Sequence, residues 1–172
     1  ELNCLKYWVR QDYLFLVEYA RLLSLAAARS PDLETMTRFT KLAFSTLGTE
    51  MELHRSYARD FGISLLELET ESKAPTCQAY TDFLLRTATL GGFTELVAAL
   101  LPCMWGFSEL GKRLAAEGLP QEEGCARWIQ MYADPEFAEL AEWCCSLVDG
   151  VAKNQPPEEL ARMETAFLTS AR

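Results

Sequence analysis

The segment Ala98-Ala99-Leu100-Leu101-Pro102-Cys103-Met104-Trp105-Gly106-Phe107 places a thiol inside an interrupted helical pattern. Within a helix, Pro102 has no N–H to donate and its ring presses on the carbonyl of Ala98, at a cost of about 3 kcal/mol. Sequences keep such a cost where a bend shapes something. Cys103 follows directly. Small Ala98, Ala99 and Gly106 leave room beside the sulfur, and Trp105 and Phe107 are candidate walls. A thiol so placed is a candidate nucleophile if a neighbour takes its proton. The alternative is an inert, buried thiol on a kinked core helix.

Gln11-Asp12-Tyr13-Leu14-Phe15 is the second place where chemistry is possible. Asp12 falls among the apolar positions Trp8, Val9 and Tyr13, so its carboxylate lies near the inward face. An inward carboxylate must be paired, since isolated burial of charge is prohibitive. It suits the amino group of a heterocycle. A partner such as Arg10 or Arg86 is the alternative. Glu50 and His54 lie four residues apart, on one helical face. Di-iron bundles need more than one Glu-x-x-His pair, and the chain has a single histidine. No metal or cofactor is therefore expected, and a metal- or haem-dependent oxygenase has only His54 in its favour. Tyr80 and Tyr132 gain meaning only in company.

The elements that position these residues are helical throughout. Apolar residues recur at three- and four-residue steps, with no run of period-two alternation. The pattern predicts a first helix over about 2–29. Ser30-Pro31-Asp32-Leu33-Glu34 restarts the helix, with Ser30 as the expected cap and Pro31 in the first turn. This second helix is expected to reach Phe61 and stop at Gly62. Ala74-Pro75-Thr76 opens a third, interrupted at Gly91-Gly92. A fourth runs from Phe93 to Glu117, before Gly118. A fifth covers about 122–132, Asp134-Pro135 opens a sixth that stops near Gly150, and Pro156-Pro157 opens a last, still helical in pattern at Arg172. Short links between such helices imply an antiparallel bundle, read as one domain over 1–172. The pattern reads as cut inside an element at each end, so a truncated sequence is expected.

Composition narrows the function. The net charge is −9, and the 16 Lys and Arg residues form no cluster, which argues against a nucleic-acid partner. Apolar runs such as 96–101 are far shorter than the roughly 20 residues of a membrane span. No signal peptide opens the chain. None of the six cysteines (Cys4, Cys77, Cys103, Cys125, Cys144 and Cys145) forms a C-x-x-C pair. They read as reduced thiols of a cytoplasmic protein.

Taken in order, these segments resemble the TenA (thiaminase II) family. The run around Cys103, followed by Glu109-Leu110-Gly111, is similar to that family's nucleophile signature. Gln11-Asp12, Glu50-Met51 with Leu53-His54-Arg55, Tyr80, and Trp128-Ile129 with Tyr132 resemble its other landmarks. The resemblance implies a haem-oxygenase-like all-α bundle without haem, assembled as a homo-oligomer (tetramer or dimer). It implies a hydrolase of thiamin salvage acting on small aminopyrimidines, releasing ammonia and hydroxymethylpyrimidine, and in many members cleaving thiamin. By this resemblance Cys103 is the nucleophile, Asp12 holds the pyrimidine's amino group, and Tyr80 and Tyr132 orient the substrate. Phe15 and Phe107 are walls for a flat ring.

The match is incomplete. Phe15 and Phe107 stand where many members carry tyrosine, so hydroxyl contacts are lost there. The family's late catalytic glutamate is expected just past Arg172, and its opening helix before Glu1. A non-catalytic pyrimidine-binding or regulatory protein on the same fold is the alternative function.

Overall fold

The structure is a computed structural model that describes residues 2–172. Among the described residues it has nine α-helices and no strand, so the chain is all-α, as the periodicity requires. The helices are α1 (Leu2–Arg29), α2 (Leu33–Ser45), α3 (Met51–Asp60), α4 (Leu65–Thr70), α5 (Pro75–Leu90), α6 (Phe93–Glu117), α7 (Glu123–Tyr132), α8 (Pro135–Ala152) and α9 (Pro157–Ser170). A π-helical turn, Thr46–Glu50, joins α2 to α3. The chain packs as two compact units, Glu1–Leu90 and Gly91–Arg172.

In the first unit α2, α3 and α5 pack against α1. Val9, Tyr13 and Leu16 of α1 close a core with Met51 and Tyr57 of α3 and Leu68 of α4. Each such apolar side chain contributes roughly 1.5–3 kcal/mol by leaving water. The cap of α2 is not Ser30. Asp32 accepts from the Thr35 N–H at 2.8 Å and from the Thr35 hydroxyl at 2.9 Å. A carboxylate serves the positive helix end better than a hydroxyl, and starting at Leu33 puts it there. Ser30 instead donates back to the Ala26 carbonyl at 2.8 Å, as an extension of α1. The expected single helix to Phe61 is interrupted by the π turn, although Gly62 does end it, with φ of +71°. The short α4 was not anticipated, yet its signal is present. Ser64 and Glu67 form a capping box, with the Ser64 N–H donating to Glu67 Oε2 at 2.8 Å.

In the second unit α7, α8 and α9 all pack against α6. That helix starts where the Gly92 N–H donates to Glu95 Oε1 at 3.0 Å, continues through Pro102, and ends at Gly118, with φ of +103°. Its length and mean hydropathy of 1.2 over 18 residues would suit a membrane span. Here, however, Leu96 to Leu100 are each at most 2% exposed beneath neighbouring side chains, so it serves as a core helix. Asp134 caps α8 through the Glu136 N–H at 2.8 Å, with Pro135 in the first turn as expected. The helix runs on to Ala152, past Gly150. The last helix ends at Ser170, whose hydroxyl donates to the Ala99 carbonyl at 2.5 Å.

Gly111 marks the tightest approach in this unit. A Cβ there would lie 2.5 Å from the Tyr132 carbonyl carbon and 2.7 Å from the Ala133 nitrogen. Backbone cannot yield as a side-chain tip does. Gly106, on the same helix, has nothing within 4 Å of the equivalent point. Gly111→Ala is therefore expected to cost about 1–3 kcal/mol. Gly106→Ala should be neutral or stabilise by up to about 1 kcal/mol through helix propensity. Urea unfolding of both variants checks this contrast; equal effects would contradict it.

Candidate active site

Asp12 lies midway along α1, and its side chain keeps 12% exposure. Its Oδ2 lies 2.6 Å from Nε2 of His54, a residue with no exposed surface. The other ring nitrogen, Nδ1, lies 3.0 Å from the Glu50 carbonyl, one helical turn back. Trp8 and Tyr57 pack on the imidazole, with centroids 5.4 and 6.1 Å away. Nδ1 is thus bonded to protein, while the fully buried Nε2 meets Asp12 at ion-pair distance without the alignment of a hydrogen bond. Among the described residues no group of three His, Cys, Asp or Glu side chains converges on one point.

This arrangement puts beside Asp12 a residue other than the arginines offered as its alternative partners. Arg10 points elsewhere, to Glu71 at 2.9 Å and Glu67 at 3.6 Å. The histidine comes within reach through the π turn that precedes it. The Met51 N–H there donates to the Thr46 carbonyl across five residues. Thr46, Gly48 and Thr49 are weak helix formers, and a helix loosens most easily among such residues. Such turns often occur at functional sites. That cluster was the available signal for it.

Phe15 and Tyr80 also come together. Their rings stack at 5.6 Å with an interplanar angle of 6°, and Tyr19 lies 5.2 Å from Phe15 on its own helix. Gln11 sets this register. Its Oε1 accepts from the Ala74 N–H at 2.7 Å and its Nε2 donates to the Ser72 carbonyl at 3.1 Å, tying the entry of α5 to α1. Lys73 and Glu18, 2.8 Å apart, add a second tie.

In the second unit Cys103 is half-buried on α6. Phe107 lies one turn further on, on the same face. Its ring meets that of Tyr132 at 4.8 Å, and Trp128 and Phe137 extend the cluster. Trp105 does not wall the thiol as expected. Two residues along a helix is about 200° around it, and Trp105 is exposed over a groove with Glu109, Lys112, Pro135 and Cys145. Burial pushes the Cys144 thiol up to about 12, and raises Cys145 and Cys77 as well. Those three are poor thiolates.

Charge around His54 has a pH signature. Burial, then the charge of Asp12, pushes Glu50 up to about 7 from 4.5, with His54 and the Thr46 hydroxyl opposing. A carboxyl raised in the fold contributes stability that is complete below about 4.5 and lost as pH rises through about 7. For His54, burial disfavours the charged ring, but the hydrogen bond to Asp12, its charge and the Glu50 groups outweigh burial and raise the ring above 6.5. Its contribution is likewise complete below 6.5 and fades as pH passes the folded value. Stability is therefore expected to fall between about pH 5 and pH 8, and Glu50→Gln should flatten the fall by up to about 3 kcal/mol. Denaturant titrations across that range check it; an unchanged slope would contradict it.

The chain matches the model of the TENA/THI-4/PQQC family over residues 1–172. It is 42% identical to an aminopyrimidine aminohydrolase of Halalkalibacterium halodurans, covering 100% of this chain and 77% of that protein. An aminopyrimidine aminohydrolase of Bacillus subtilis is 34% identical, covering 96% of this chain and 70% of the relative. Among solved structures, a TenA family transcription regulator from Silicibacter sp. TM1040 aligns with a TM-score of 0.91 at 26% identity, over 99% of this chain and 78% of the other. A TenA homologue from Pyrococcus furiosus gives 0.87 at 23% identity, over 97% and 78%, which speaks for the fold alone. With the family's landmarks carried on an all-α frame that this match spans from end to end, the chain belongs to the TENA/THI-4/PQQC family.

Proposed function

We propose that this protein is a hydrolase of thiamin salvage that converts aminomethylpyrimidine to hydroxymethylpyrimidine and ammonia. The observation that carries the reading is the 42% identity, along the whole chain, to a protein named for that class of reaction. In the proposed mechanism Asp12 holds the ring's amino group, as a carboxylate strengthens such a hydrogen bond. The Cys103 thiolate bonds to an electron-poor ring carbon while a ring nitrogen takes a proton. The exocyclic C–N bond then breaks and ammonia leaves with the electron pair and a proton. Water adds to the methylene carbon, the C–S bond breaks, and thiolate returns. Phe15 with Tyr80, and Phe107 with Tyr132, supply flat apolar surfaces for ring binding, and Tyr132 is the proposed proton relay. Thiamin cleavage would follow the same course with a different leaving group. The proposal places the enzyme in the cytoplasm, supported by its free thiols. It also includes assembly as a homo-oligomer, supported by large apolar side chains such as Phe44 and Trp105 left exposed at 80% and 46%.

A second reading, a pyrimidine-binding regulator, is favoured by Phe15 and Phe107 in place of tyrosine. A structural relative at 26% identity is described as a transcription regulator. Ammonia release from 4-amino-5-aminomethyl-2-methylpyrimidine separates the two. Turnover is expected, with Cys103→Ser slower by at least about a hundredfold, as for other nucleophile replacements. Asp12→Asn should lower kcat/KM about 10- to 100-fold, the worth of a charged hydrogen bond. Tight binding in calorimetry with no turnover would favour the regulator instead.

A further inference from the structure

We infer that His54 is a positioning residue for Asp12: its Nδ1 proton is committed to the Glu50 carbonyl, and a second proton held between Nε2 and Oδ2 locks the carboxylate in one orientation, with Oδ1 left for the ligand's amino group. The inference rests on the proposed role of Asp12 in holding the pyrimidine.

The short contact between two acceptors points to that second proton. A carbonyl only accepts, so the 3.0 Å contact from Nδ1 to the Glu50 oxygen places a hydrogen on Nδ1. In the neutral ring this leaves Nε2 as an acceptor. Yet Nε2 lies 2.6 Å from a carboxylate oxygen, which is an acceptor too. Two lone pairs at that distance repel, and neither atom has an aligned hydrogen-bond partner, so a proton on one of them is what relieves the contact, as imidazolium beside carboxylate or as carboxylic acid beside imidazole. Either form carries one proton more than neutral histidine beside ionised aspartate.

The ring cannot turn to escape this. It has no exposed surface and is held between Trp8 and Tyr57. Oδ2 is itself buried, so the 12% exposure of the Asp12 side chain belongs to its other atoms. The groups that face the pair are Glu50 at the π turn, the Tyr57 ring edge on α3, and Cys77 on α5, whose thiol is raised by burial and by the charges of Asp12 and Glu18 against that of Lys73. Glu50 lies at the upper end of the carboxyl range, which limits competing negative charge near neutrality.

His54 is the chain's only histidine, so its imidazole nitrogens give unambiguous signals in 15N NMR. In the wild type, Nδ1 should stay protonated, and the second proton should persist to a pH above 6.5, histidine's ordinary value. In Asp12→Asn the midpoint should fall by at least about one pH unit, since burial then acts with one less carboxylate. A midpoint unmoved by Asp12→Asn overturns the inference without need of any histidine variant. Kinetics on 4-amino-5-aminomethyl-2-methylpyrimidine supply the second arm. His54→Ala should lower kcat/KM about 10- to 100-fold, the usual cost of a misplaced group. His54→Gln, which keeps a donor, should recover part of that loss. In Asp12→Asn/His54→Ala the loss should equal that of Asp12→Asn alone, because His54 acts through Asp12. Additive losses overturn the positioning role. A normal rate for Asp12→Asn would instead overturn the reading of Asp12 as the pyrimidine's partner, and with it Oδ1 as the substrate contact, while the NMR midpoint still reports the pair.

Discussion

A carboxylate cannot remain buried on an apolar helix face without a donor, and the first unit is arranged around that constraint. Asp12 sits among core residues of α1, and the group that meets it is a fully buried imidazole on α3. To place His54 there, the chain must carry it past the end of α2 at the correct rotation, and the π turn at Thr46–Glu50 supplies the offset. The Glu50 carbonyl then takes Nδ1, which decides the state of the other ring nitrogen. One polar contact thus links a helix defect, a buried histidine and a raised carboxyl into a single unit.

The second unit answers a different constraint, that of close backbone approach. Gly111 lets α6 run against the end of α7 at Tyr132, where any side chain would collide with main-chain atoms. Tyr132 is held by this contact and by Phe107, Trp128 and Phe137. The cysteines sort themselves by environment. Burial raises Cys77, Cys144 and Cys145, with neighbouring carboxylates adding to it for Cys77 and Cys145, and Cys103 lies half-buried one turn from Phe107.

Much of the helical frame was legible because helix signals are local. Three- and four-residue apolar spacing, Asp134-Pro135, Pro156-Pro157, Gly62 and Gly118 each act within a turn or two of chain, and they placed most helix limits to within a few residues. Misreadings came from competition between local signals. Ser30 and Asp32 are both competent caps, and the carboxylate prevailed. Ser64 and Glu67 were a readable capping box in too short a stretch to be taken as a helix.

What the sequence determined by itself was the all-α class, the helix frame, and a short set of chemically able residues, because periodicity and capping depend on neighbours in the chain. The family landmarks added Cys103, Asp12, Tyr80 and Tyr132 to that set. The partner of Asp12 was decided only by tertiary structure, since its inward position suggested Arg10 or Arg86 and said nothing of His54. A π turn rotates everything after it, so which face His54 presents depends on a single extra residue in the helix. Stacking of Phe15 on Tyr80 likewise depends on Gln11 reaching 63 residues along the chain to Ala74. Such contacts belong to packing, and no local pattern encodes them.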